Sequence, residues 1–335
     1  MTDTLPDVGE PAGILRLGNA FCDAKALLTA VELNLFDVLH DGPATIEQIR
    51  QRLGLHGRGL ADFLHLLTAL GLVERDGPHF RNAAGADRYL VTSRQTYIGG
   101  FLHRSNRNLY PAWGRLTEAL RTGQPQSGSD FSQVAGSPAL LGQFIRMMDA
   151  LTQVLAPELT DAFGWAAHQS IVDIGGCRGN LAGHVLKAHP DLTGHVFDLP
   201  QMEPFFDEHV ASMGLTGRIR FHGGNFFTDP IPAGDVVILG HVLHDWDEQQ
   251  RAYLTKKAYD AVSPGGALLV YDRMLDDDPR HVENLVISLD MLLVTDGGSE
   301  YTVTELRGHV AAAGCDSITE QPLGDYDTLV ICRKP

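Results

Sequence analysis

The chain has 335 residues, a formal charge of −16, 44% hydrophobic residues and 20% charged ones. That length suits two domains, the composition is that of an ordinary globular protein, and the acidic balance argues against a nucleic-acid partner, which needs Lys and Arg clusters. The four cysteines, Cys22, Cys177, Cys315 and Cys332, stand far apart with no Cys-x-x-Cys pair, which argues against a zinc cage or a disulfide framework and fits a reducing cytosol.

Met1 to Pro11 lacks the basic-then-apolar order of a signal segment, and no run nears the roughly 18 apolar residues of a membrane span. A cytoplasmic protein with no membrane contact is expected. Ile14, Leu17, Phe21, Leu28, Val31, Leu35 and Leu39 then fall at helical spacing among good helix formers. Thr45 opens a second helix, and Gln48 completes a capping-box pattern. A third helix carries Leu60, Phe63, Leu64, Leu67 and Leu70 and stops at Gly71. Leu72 to Phe80 reads as a hairpin turning at Asp76-Gly77. Helices followed by a hairpin make a winged-helix layout over residues 1–96, expected to be an all-α domain. The third helix shows Arg58 and His65 among leucines, a poor set for reading DNA. So many apolar residues exceed what one small unit buries, which points to a dimer interface.

Residues 97–168 read as helices with loops, a linker that contributes to a substrate pocket. Gly123 to Pro138 is rich in Gly, Ser, Pro and Gln and reads as a loop. Trp113, Phe144 and Met148 are candidates to line an aromatic pocket, although a Met and aromatic stripe is more often core.

From 169 to 335, short apolar runs alternate with helical stretches: Ile171–Ile174, His195–Phe197, Ile219–Phe221, Val236–Leu239 and Leu268–Tyr271. This is the pattern of a doubly wound α/β sheet, which binds ligands at the carboxyl ends of its strands. The first run leads into Asp173-Ile174-Gly175-Gly176-Cys177-Arg178-Gly179-Asn180, where Gly175 and Gly176 let the backbone approach a cofactor. Such a loop alone does not separate dehydrogenases from methyltransferases. Asp198, at the end of the second strand, suits a ribose diol, with Leu199 beside it. Asn225-Phe226 after the third strand is placed to meet an adenine, and Ser263-Pro264-Gly265-Gly266 reads as a tight turn before the fifth. His244, in His244-Asp245-Trp246-Asp247, follows the run ending at Leu239. An imidazole titrates near pH 7, so a histidine at the mouth of this fold suits a general base for a weakly acidic hydroxyl. The competing reading makes His244 a cap for the following helix.

In order, these pieces resemble the S-adenosylmethionine-dependent O-methyltransferases of the caffeate and hydroxyindole type, nearest the bacterial branch that tailors aromatic polyketides in antibiotic biosynthesis. The resemblance rests on Leu27–Asp37, the glycine loop, Phe197-Asp198-Leu199-Pro200, His244–Asp247, Pro264-Gly265-Gly266 and Gly297–Thr302. It implies a winged-helix dimerisation domain and a class I methyltransferase domain closed by an antiparallel hairpin, here Asp316–Thr319 and Thr328–Cys332. It implies S-adenosylmethionine as cofactor, no metal, and a homodimer acting on a small aromatic substrate. His244 then deprotonates the acceptor, Asp272 and Glu300 steady it, and Asp290 and Met291 meet the acceptor. Gly240 joins the cofactor-binding set with Gly175, Gly176, Asp198, Leu199, Asn225 and Phe226. Three positions depart from the family pattern: Cys177 stands for Gly, Asn225 for an acidic residue, and Gly240 where plant members often have Lys.

The expected activity is methyl transfer to a phenolic or enolic hydroxyl. Alternatives are N- or C-methylation, or hydroxylation with the cofactor retained, within the same family. A nicotinamide-dependent dehydrogenase and a winged-helix regulator are the rivals outside it.

Overall fold

A computed structural model describes residues 8–94, 96–127 and 134–335. Contacts divide the chain into two units, residues 1–107 and 108–335. The boundary thus falls later than the expected 96, and the expected separate linker 97–168 is shared between the two. Residues 128–133 of the loop expected over Gly123–Pro138 lie outside the described set.

The first unit opens with the helix Pro11–Glu32. The apolar stripe continues beyond it, but Asn34 adopts a left-handed backbone and restarts the chain as a second helix, Leu35–His40. The capping box at Thr45 forms as expected, with Thr45 and Gln48 bonding reciprocally ahead of helix Ile46–Arg52. Helix Leu60–Ala69 follows. The hairpin comprises β2 (Val73–Asp76) and β3 (His79–Asn82), and β3 also pairs with a short strand, β1 (Ala44–Thr45). The unit is therefore a winged helix with three strands rather than all helix. Leu35, Phe36, Ile49, Leu64, Leu67 and Phe80 form its core. Ile14, Leu15, Leu17 and Phe21 stay more than half exposed on the first helix.

The second unit is built on seven strands: β4 (Ser170–Ile174), β5 (Thr193–Asp198), β6 (Ile219–Gly223), β7 (Gly234–Gly240), β8 (Val262–Asp272), β9 (Ser317–Leu323) and β10 (Asp327–Arg333). Their order is β6-β5-β4-β7-β8-β10-β9, parallel from β6 to β8, with β10 and β9 antiparallel. Period-two alternation sends Val172, Ile174, Val237, Leu239 and Leu268 into one core cluster and Ile171, Val236, Ile238 and Leu269 into another. Helices Glu248–Ala261 and Val303–Ala312 supply the first; helices Pro138–Ala162 and Asn180–Ala188 supply the second. The chain leaves β4 toward β5 on one side and β7 on the other. That makes the carboxyl end of β4 the switch point, where a ligand belongs. The Pro264-Gly265-Gly266 turn lies inside β8, where the register against β7 shifts between Gly234 and Val236.

One expectation is corrected. Cys315 and Cys332 form a disulfide, while Cys22 and Cys177 are free. The hairpin of β9 and β10 folds back so that Cys332 lies opposite Ile318, bringing the two Cα atoms to 6.3 Å. Linear spacing carries no trace of that return. Alkylation in denaturant without reductant should label Cys22 and Cys177 and spare the other pair; labelling of all four, read by mass spectrometry, would refute the bridge.

Candidate active site

β7 ends at Gly240, and His244 lies in the short 3-10 turn Leu243–Asp245 just beyond it. The next helix is capped by Asp247, in a capping box with Gln250, so the helix-start reading of His244 fails. The His244 side chain is only 9% exposed. Its Nδ1 lies 2.7 Å from Glu300 Oε1 and 3.4 Å from Asp272 Oδ1. The three residues placed together from the sequence are thus one cluster. Burial works against a charge on the ring, but Asp272 and then Glu300 outweigh it and raise its pKa to about 10. Asp272, at the end of β8, is pushed up to about 7, first by burial, with His244 opposing and Glu300 adding to the rise. Tyr301 donates its hydroxyl to Asp272 Oδ2 at 2.6 Å, a contact that no spacing in the sequence announced.

Next to this cluster is a small cavity lined by Gly175, Gly176, Cys177, Gly240, His241 and Tyr271, among others. Gly175 has φ +73, and a Cβ there would lie 2.7 Å from Val242; at Gly176 it would lie 2.6 Å from Asp173. No other residue type fits either position without displacing its neighbours. Cys177 also takes a left-handed backbone, φ 53, which accounts for the glycine usual there. It packs against the buried cluster of Leu141, Ile145 and Met202, and burial pushes its thiol pKa up.

Asp198 holds the same loop. Cys177 N–H donates to its Oδ2 and Leu199 N–H to its Oδ1, both at 2.7 Å. Each carboxylate oxygen keeps acceptor capacity for a diol. This fits a nucleoside cofactor held by the glycine loop and Asp198. Asn225, by contrast, spends its side-chain oxygen on Phe227 N–H at 2.9 Å, and its own N–H on Asp229. Phe226 packs edge-on against Trp246. At Gly240 a Cβ would lie 2.0 Å from the Tyr271 ring, so Tyr271 occupies the space that a Lys would need. Gly240→Ala should destabilise the fold by about 1–3 kcal/mol through overpacking. In a double-mutant cycle the Gly240→Ala change should cost less in a Tyr271→Ala background than in the wild type, and an unchanged melting point in the single variant would contradict the steric reading.

The expected acceptor residues separate. Trp113 Nε1 donates to Asp290 Oδ1 at 2.5 Å, which ties Trp113 to the helix Val282–Val294, where Met291 is also buried. Phe144 lies in a different cluster, with Leu141, Met202 and Cys177, while Met148 lines the cavity. Asp149 on that helix pairs with Arg178 of the loop, Oδ2 to Nη2 at 2.5 Å, a clasp that sequence reasoning missed. Also missed was His241, whose Nε2 lies 2.9 Å from Asp327 Oδ1.

With this geometry established, known proteins give a consistent match. Residues 113–316 fit the model of an O-methyltransferase domain, and residues 15–92 that of an O-methyltransferase dimerisation domain. The chain belongs to the O-methyltransferase family. It is an S-adenosylmethionine-dependent methyltransferase of class I fold. It is 46% identical to the tetracenomycin polyketide synthesis 8-O-methyl transferase TcmO of Streptomyces glaucescens over 97% of both chains. It is 40% identical to the N,N-dimethyltransferase OxyT of Streptomyces rimosus over 100% of this chain and 99% of that one. Human N-acetylserotonin methyltransferase, solved in complex with SAM, superposes with a TM-score of 0.89 at 28% identity, covering 98% of this chain and 99% of the other. Among the described residues of the methyltransferase, no helix is long and apolar enough to cross a membrane.

Proposed function

We propose that the enzyme methylates a phenolic or enolic hydroxyl of a small aromatic polyketide-type metabolite, with His244 as general base. The observation that carries this is the 2.7 Å contact from His244 Nδ1 to Glu300. Nδ1–H donating to the carboxylate fixes the tautomer, which leaves Nε2 as the nitrogen for the acceptor's proton. Asp272 and Glu300 then stabilise the imidazolium as it forms. S-adenosylmethionine, when bound, supplies a methyl group on a positively charged sulfur. Gly175, Gly176, Gly240, Asp198 and Leu199 are assigned to hold it, with Asn225 and Phe226 near its base. Trp113, Phe144, Met148, Asp290 and Met291 are assigned to shape the acceptor site. Orientation of the hydroxyl along the transfer axis contributes beside the base, because displacement gains most from alignment.

The exposed Ile14, Leu15, Leu17 and Phe21 and the matched dimerisation domain support a homodimer through the first unit. A cytoplasmic location accords with a biosynthetic role. The similarity to OxyT favours nitrogen as a second acceptor class. Incubation with S-adenosylmethionine and a panel of polyketide phenols and amines separates these readings. A gain of one methyl attached to oxygen, located by carbon NMR, is expected. Methylation of nitrogen alone, or a gain of one oxygen in the product mass, would displace the proposal.

A further inference from the structure

Asn225, in the turn after β6, has one half of its side-chain amide in use and the other half open. Its Oδ1 accepts Phe227 N–H at 2.9 Å, and its own N–H donates to Asp229 Oδ2 at 2.8 Å. Its carbonyl accepts the N–H groups of Thr228 and Asp229 at 3.0 and 2.8 Å. Helix Glu248–Ala261 pins the same turn from behind. Lys257 Nζ donates to Phe226 O and Asp229 O, both at 2.7 Å, and Tyr253 donates its hydroxyl to Phe227 O at 2.9 Å. Among the described residues, no partner meets Asn225 Nδ2, and the residue is exposed.

Which end of the amide stays open is fixed by chemistry. Phe227 N–H is a donor, so the atom that meets it is the oxygen. Turning the amide over would set NH₂ against N–H and lose that bond. Asn225 therefore presents two N–H donors outward. An aspartate bonded to Phe227 in the same way would present an acceptor oxygen instead.

The sheet says what lies in front of it. β5 and β6 end side by side, with Asp198 opposite Gly223, and Gly224 N–H donates to Asp198 O at 2.9 Å. A nucleoside held by its diol at Asp198 has its sulfur and its base on opposite sides of that diol. The sulfur belongs toward β7, where His244 stands, so the base belongs toward β6 and Asn225.

We propose that Asn225 meets the cofactor's base as a hydrogen-bond donor, so that this enzyme does not select the exocyclic amine of adenine through residue 225. That amine is itself a donor and cannot bond to Nδ2, whereas the ring nitrogens can accept. A purine nucleoside without the amine should then be taken almost as well as the natural one. This inference rests on the cofactor assignment made above.

The test is calorimetric titration of the full chain with S-adenosylhomocysteine and with its deamino analogue, in which purine replaces adenine. The wild type should bind the two within about threefold, a difference well below one hydrogen bond to a charged group. Asn225→Asp should favour the natural ligand by about 10-fold or more, because its free carboxylate oxygen accepts from the amine. Asn225→Ala deprives Phe227 N–H of its partner, so it should weaken both ligands alike and leave their ratio as in the wild type. A preference of about 10-fold for adenine in the wild type, or a ratio unmoved in Asn225→Asp, would overturn the proposal. Should a variant fail to fold, the wild-type ratio still decides. The two failures differ: if neither variant changes the binding of either ligand, the base is not at residue 225. If both ligands shift together in Asn225→Asp, the base stays there and only the donor reading falls.

Discussion

Replacing His244 by Ala should lower turnover by about 10²–10⁴, the usual contribution of a general base, while S-adenosylhomocysteine binds almost as before. The asymmetry follows from geometry. His244 contacts Glu300 and Asp272, whereas the glycine loop is held by Asp198. The pH dependence gives a second signature. If His244 is the base, the neutral ring is the active form, and activity present at high pH is lost as the ring protonates. In the free enzyme the carboxylates raise its pKa to about 10 despite burial. Glu300→Gln removes one of those carboxylates and should move the acid limb of kcat/KM to lower pH. In His244→Ala the limb should disappear. Equal turnover in His244→Ala and wild type at saturating acceptor would remove the histidine from the mechanism.

Asp198→Asn should weaken S-adenosylhomocysteine binding by about 10–100-fold, as expected when hydrogen bonds to a charged acceptor worth about 1.5–3 kcal/mol are lost. The carboxylate accepts two backbone N–H groups, from Cys177 and Leu199, and in this reading also the ribose diol. An amide presents N–H where one of those donors already points. Burial raises the Asp198 pKa to about 6, against the pull of the Leu199 and Cys177 N–H groups. The ionised form is the acceptor, so affinity should be full above that value and fall as pH drops through it. Calorimetric titration across this range measures both effects. Affinity independent of pH in the wild type, or unchanged in Asp198→Asn, would separate Asp198 from the cofactor.

Much of this architecture was legible along the chain because it depends on near neighbours. The runs at Ile171, Val236 and Leu268 alternate between two core faces, and period two reads directly as buried strand. The capping box at Thr45 involves residues three apart and formed as expected. The glycine loop was legible because steric demand leaves its own mark: a Cβ at Gly175 or Gly176 has no room. Asn34 was harder, since the apolar stripe runs through it and only the left-handed backbone shows the break. Nothing near Trp113 in the chain announced its bond to Asp290, 177 positions away.

The residues themselves therefore determined the strands, the helix starts and the loop beside β4, since these are matters of periodicity, backbone sterics and side-chain type. Only the tertiary structure decided the partners: Tyr301 with Asp272, His241 with Asp327, Arg178 with Asp149, and Cys315 with Cys332. Those meetings depend on the strand order β4-β7-β8-β10-β9 and on the way each helix returns to the sheet. Such long-range pairings have no local period, so no window of the chain encodes them by itself.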